Sequence, residues 1–210
     1  MKEQRGIPMT WEILTIIGTI AFAISGAIIA MEEEYDILGV YILGVVTAFG
    51  GGALRNLLIG VPISALWDQG TNFIIALISI TFVFLFPKNL LKHWKTWGNF
   101  TDAIGLSAFA IQGALYAIDL NRPLSAILVA AVLTGCGGGM IRDLLAHRKP
   151  LVLKDEIYAL WAIICGLFIG LNSSIEPWQL YCLFLAITVL RVLSYSYNWK
   201  LPARNINQYN

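Results

Sequence analysis

The chain has 210 residues, 58% of them hydrophobic and 13% charged, with a formal net charge of +1. Charged residues are about half as frequent as in a soluble domain, and a soluble fold of this size has too little interior for so much apolar surface. That excludes a soluble enzyme, and the balanced charge gives nucleic acid or any other polyanion no footing.

Seven apolar runs follow in chain order: Trp11–Met31, Ile37–Leu58, Asn72–Phe86, Phe100–Ile118, Leu124–Ala146, Ile157–Leu171 and Trp178–Tyr197. About 20 helical residues cross the roughly 30 Å of hydrocarbon in a bilayer. The runs therefore predict an all-α integral membrane protein with seven transmembrane helices, the short third and sixth standing upright or meeting thinner membrane. Between them lie the charge run Glu32-Glu33-Glu34-Tyr35-Asp36 and five other short polar connectors, most punctuated by proline or glycine. No soluble domain fits into connectors this short, so residues 1–210 form one membrane domain. Trp11, Trp67, Trp94, Trp97, Trp178 and Trp199 fall at or near span ends, where an interfacial aromatic belt belongs.

The first run is too long for a cleaved signal, and its second half recurs later. Across seven spans, Lys2, Arg5 and Arg122 share one face. Lys88, Lys92, Lys95, Arg148, Lys149, Lys154, Lys200 and Arg204 share the other. The excess of basic residues predicts an outside N-terminus and a cytoplasmic C-terminus. Cys136, Cys165 and Cys182 sit in apolar runs, and His93 and His147 in connectors, so neither a zinc site nor a disulfide framework is expected.

An offset of 87 positions aligns Gly18–Leu58 with Gly105–Leu145 without a gap, with 16 of 41 pairs identical. Ala21-Phe22-Ala23-Ile24-Ser25-Gly26-Ala27 matches Ala108-Phe109-Ala110-Ile111-Gln112-Gly113-Ala114. Thr47 and the triplet Gly50-Gly51-Gly52 match Thr134 and Gly137-Gly138-Gly139, and each triplet is followed by arginine, Arg55 or Arg142. Three spans per repeat is an odd number, so the second half inserts upside down. The expected organisation is a 3+3 inverted repeat, residues about 11–87 and 100–172, plus a seventh helix at about 178–197. Small-residue faces on the first and fourth spans are candidate oligomer contacts.

Glycine costs about 1 kcal/mol relative to alanine inside a helix, so a triplet is a local penalty that needs a purpose. Helix packing is one, because small residues let transmembrane backbones approach. The other is a break or kink in the second and fifth helices, freeing carbonyls that hydrocarbon forbids unless they line water or a ligand. Such carbonyls suit a desolvated monovalent cation. Thr47 and Thr134 either add hydroxyls to that wall or bond back to their own helices. Arg55, Arg142 and Asp143 are deep charges and functional candidates by default. Adjacent residues lie about 100° apart on a helix, so the expectation is that Arg55 pairs with Asp143 across the halves and Arg142 faces Asn56.

The doubled Gly-Gly-Gly-x-x-Arg-[Asn/Asp] motif in a seven-span chain resembles prokaryotic members of the trimeric intracellular cation (TRIC) channel family. Bacterial relatives include proteins named for a glycine transporter domain. The resemblance implies a homotrimer in the cell's inner (plasma) membrane, with one potassium-permeable pore per protomer bent round helices 2 and 5 at Gly50–Gly52 and Gly137–Gly139. It implies no cofactor, with potassium or sodium as the permeant ion. The Lys-Glu-Val motif of animal members is missing, and Phe100–Ile118 carries only Asp102 where their fourth helix is basic. A cation channel and a secondary transporter of glycine or another small solute both suit an inverted repeat. A membrane enzyme needs a nucleophile or acid–base set, and none is legible.

Overall fold

Helix ends in a membrane must satisfy their own last carbonyls, and five do so in one way. Glu34 (φ 56°), Gly60 (φ 78°), Asn121 (φ 52°), His147 (φ 55°) and Asn198 (φ 51°) adopt the left-handed conformation. After each, the next backbone N–H reaches back to a carbonyl of the last helical turn: Tyr35 to Ala30, Val61 to Asn56, Arg122 to Ala117, Arg148 to Asp143 and Trp199 to Ser194, all at 2.8–3.0 Å. Only Gly60 is a glycine, so four of these turns accept the mild strain of a side chain there.

The computed structural model describes residues 7–86, 94–154, 157–172 and 174–201. Its long helices are α1 (Ile7–Glu32), α2 (Ile37–Ile59), α3 (Gly70–Leu85), α4 (Trp94–Asp119), α5 (Leu124–Leu145), α6 (Ala159–Leu171) and α7 (Pro177–Ser196). A 3-10 helix, Ile63–Gln69, precedes α3 where a polar connector was expected, and a single turn, Leu151–Lys154, precedes α6. Six helical segments among the described residues are long and apolar enough to cross a membrane, while α6 has 13 residues. The side chains of Trp67, Trp97, Trp178 and Trp199 are exposed, as a belt requires. Lys2, Arg5, Lys88, Lys92, Arg204, His93 and the Trp94 side chain lie outside the described residues.

At the centre α1 and α4 pack antiparallel. A Cβ on Gly18 would lie 2.8 Å from the Phe109 ring, and one on Gly105 would strike the Phe22 ring. The two rings meet edge to face, centroids 5.3 Å apart. Gly18 and Gly105, like Phe22 and Phe109, are 87 positions apart, and such reciprocal contacts are what a two-fold axis between the halves produces. α2 and α3 flank α1, α5 and α6 flank α4, and α7 lies on α4 and α6. Two apolar cores form, one around Phe22, Leu43 and Ile80 and the other around Leu106, Ile127 and Ile169, and each borrows from the other half, Phe109 in the first and Leu14 in the second. α1 and α4 are the most enclosed helices. This corrects the expectation of oligomer contacts on them: their small residues serve the close approach inside one chain.

Candidate functional site

The two glycine triplets meet where α2 crosses α5. A Cβ on Gly51 would sit 2.5 Å from the Thr134 carbonyl oxygen, and one on Gly137 3.0 Å from the Gly51 Cα. A Cβ on Gly138 would run into the Thr47 carbonyl. Both helices continue without interruption through their triplets, so their carbonyls stay in the helical ladder. Neither helix is broken there, and the triplets pack backbone on backbone. Three successive glycines cover most of a turn, and each has a different neighbour. The middle residues, Gly51 and Gly138, carry the crossing. A Cβ on Gly50 would lie 2.8 Å from the tip of Ile141. A Cβ on Gly52 would lie 3.6 and 3.9 Å from Leu66 and Arg55, and one on Gly139 3.1 and 3.5 Å from the Tyr158 hydroxyl and Asp102. Thr47 and Thr134 donate back to Leu43 and Ala130, each at 2.6 Å.

One turn beyond the triplets the two buried arginines take equivalent positions with different company. Arg142 Nε donates to Asp143 Oδ1 at 2.9 Å, and Nη1 to Asp102 Oδ1 at 2.7 Å and Ser25 Oγ at 2.6 Å. Arg55 donates through Nε and Nη2 to Asn56 Oδ1, at 3.1 and 2.8 Å, and through Nη1 to Gln112 Oε1 at 3.5 Å. Its guanidinium lies 4.1 Å over the Tyr116 ring. The expected pairs Arg55–Asp143 and Arg142–Asn56 are therefore corrected. The two-fold axis sends the ends of α2 and α5 to opposite ends of the bundle, and a long arginine side chain curls onto its own neighbour despite the 100° between them.

Sequence reading gave no site role to Ser25, Gln112, Thr15, Asp102, Tyr116 and Tyr158. One signal was available: Ser25 and Gln112 are the single mismatch in the Ala-Phe-Ala-Ile-x-Gly-Ala block, and each contacts the arginine of the other half. Thr15 and Asp102, also 87 apart, complete the two networks: Thr15 accepts from Gln112 Nε2 at 3.1 Å. Arg191 lies 4.5 Å over the Tyr158 ring.

Each network opens on a cavity. A volume of about 540 Å³, walled by Trp11, Glu12, Asp68, Gln112, Tyr116 and Arg55, occupies the end where α1 begins. A second, of about 330 Å³, holds Ser25, Asp102, Arg142, Asp143 and Arg148 at the end where α1 finishes. From the Arg55 side a narrow space of about 10 Å³ runs inward past Phe49, Gly52, Leu66 and Phe109 to Thr134. Beside the second cavity Arg148 holds Glu32 and, at 2.5 Å, Glu33. Burial opposes its charge, but hydrogen bonds and attraction from Glu32 and Glu33 outweigh it and raise the Arg148 pKa. Among the described residues no cluster of His, Cys, Asp or Glu fits a metal ion.

The fold and both sequence halves have relatives. The family model described as glycine transporter matches residues 12–88 and again 99–172. The UPF0126 membrane protein YvgT of Bacillus subtilis (strain 168) is 71% identical over 94% of this chain and 98% of its own. The inner membrane protein YadS of Escherichia coli (strain K12) is 39% identical over 73% of this chain and 74% of its own. A prokaryotic TRIC channel crystallised in 0.5 M KCl superposes with a TM-score of 0.82 at 36% identity, covering 92% of this chain and 99% of that one. The chain belongs to the prokaryotic TRIC family. The TRIC orthologue of Rhodobacter sphaeroides, at 28% identity and a TM-score of 0.81 over 89% of this chain and 97% of that one, has the same fold. In this TRIC chain the doubled glycine motif is one of the two main contacts that join the halves, the other being α1 on α4.

Proposed function

We propose that the protein is a cation channel permeable to potassium, with a path inside each protomer and three protomers per assembly. The reading extends to seven membrane crossings, α6 included, as two inverted three-helix halves followed by α7. The N-terminus lies outside and the C-terminus in the cytoplasm of the cell that carries it in its plasma membrane.

The observation that carries this is the pair of polar cavities at opposite ends of the α2–α5 crossing, in a chain whose solved relatives are TRIC cation channels. The path runs from Arg55 past Gly52 and Thr134 toward Gly139 and Asp102. The intervening space of about 10 Å³ has room for about one water, so the path is closed, and Phe49, Leu66 and Phe109 close it. Opening requires the side chains of Phe49, Leu66 and Phe109 to draw apart. A wall of hydroxyls, amides and few free acids favours cations over anions while discriminating weakly between potassium and sodium.

The test is a planar-bilayer recording. Unitary current steps in potassium, with a reversal potential set by cations, are expected. Leu66→Ala, which widens the narrow space, should raise open probability or flux at least severalfold. Saturable uptake with counterflow and no current steps would replace the channel by a transporter. Chloride permeating as readily as potassium would overturn the selectivity.

A further inference from the structure

The two-fold relation turns one half of the molecule into a control for the other. Around Arg142, four hydrogen bonds or ion-pair contacts engage the guanidinium, and two of its partners are carboxylates, Asp143 and Asp102. The equivalent positions around Arg55 hold Asn56 and Thr15. Arg55 is only 3% exposed, yet its acceptors are neutral amides and one of them is 3.5 Å away. A guanidinium has five N–H donors; these bonds engage three. An enclosed cation with donors to spare faces a cavity of about 540 Å³, where its mate has a carboxylate inside the chain.

We infer that the cavity at Arg55 is a binding site for a small monocarboxylate anion, whose oxygens take the two N–H donors, one on each terminal guanidinium nitrogen, that Asn56 and Gln112 leave over. Arginine presents those donors as a planar fork matched to a carboxylate. Trp11 and Tyr116, with ring centroids 5.6 Å apart, give the organic end of the ligand an apolar wall. Glu12 and Asp68 also line the cavity, and their charge turns away a ligand carrying a second carboxylate. The site lies in the mouth from which the proposed cation path starts, and binding is measured without flux, so the two readings fail separately.

The experiment is thermal unfolding of the detergent-purified protein in sodium acetate, sodium chloride and sodium succinate at matched ionic strength. Acetate at ten or more times its Kd should raise Tm by about 3–5 °C, with no shift in chloride or succinate. Asn56→Asp builds the missing carboxylate into the chain and should abolish the acetate shift while raising the variant's own Tm. Arg55→Lys keeps the charge without the fork and should weaken acetate at least tenfold. Equal shifts in acetate and chloride, or an Asn56→Asp protein that responds to acetate as the parent does, would overturn the site. Loss of potassium current with the acetate shift intact would count against the channel alone.

Discussion

Arg142, Asp102 and Asp143 form an ion-paired group with almost no access to water. Removing one partner of a buried pair leaves a lone charge and costs roughly 3–5 kcal/mol, so Asp102→Asn should lower Tm in detergent by about 10 °C. A double-mutant cycle joining Arg142→Gln to Asp102→Asn should show coupling above about 0.5 kcal/mol. The cycle joining Arg55→Gln to Asp143→Asn should be additive within that margin, because those residues sit at opposite ends of the bundle. Coupling in the second cycle and none in the first would reverse the assignment of partners. Arg148 behaves differently. Its pKa is raised by Glu32 and Glu33, so its contribution is complete below the ordinary arginine value and lost only above it, at alkalinity outside the working range. Between pH 6 and pH 9 Arg148→Gln should therefore show a pH-independent loss, one that shrinks in high salt because the pair is half exposed.

At the scale of elements, the α2–α5 crossing rests on which glycine meets backbone. A carbonyl cannot rotate away as a side-chain tip can, so Gly138→Ala should cost about 1–3 kcal/mol through overpacking. Gly50→Ala meets only the end of Ile141 and should cost less than about 1 kcal/mol. Equal losses, measured as Tm and as yield of folded protein, would remove the backbone contact as the reason for the triplets. The pairing of the triplets was legible in the sequence, because an offset of 87 that aligns two of them is a long-range constraint. Their division of labour was not. Which of three neighbours faces a partner helix depends on rotation and crossing angle, and those come from Phe22, Phe109 and the cores around them. The arginine partners were illegible for a related reason: periodicity locates a Cα on a face, while a guanidinium ends several freely turning bonds away from it.

Across the whole molecule, the helix runs predicted from composition match α1 to α7 within a few residues, the largest shift being the start of α4 at Trp94 against Phe100. Long apolar runs are the most direct signal a membrane chain gives. The 3-10 helix before α3 was missed because Pro62 and polar Asp68 and Gln69 read as a connector. In liposomes, potassium flux should follow the narrow space between the cavities: Phe49→Ala should raise it, and Gly52→Leu, which fills the same space, should abolish it without loss of insertion.

The 13 residues of α6 span only about 20 Å at 1.5 Å per residue, some 10 Å less than an average hydrocarbon core. Its counterpart α3 has 16 residues and follows a 3-10 helix of seven, where α6 follows a single turn, Leu151–Lys154. On the proposed seven-crossing reading, lipid beside α6 dimples inward to keep its tails against apolar surface, and the strain is confined to that flank. Chains with 14 carbons should relieve that strain and raise Tm over chains with 20, and lengthening α6 by one turn of leucines should erase the preference.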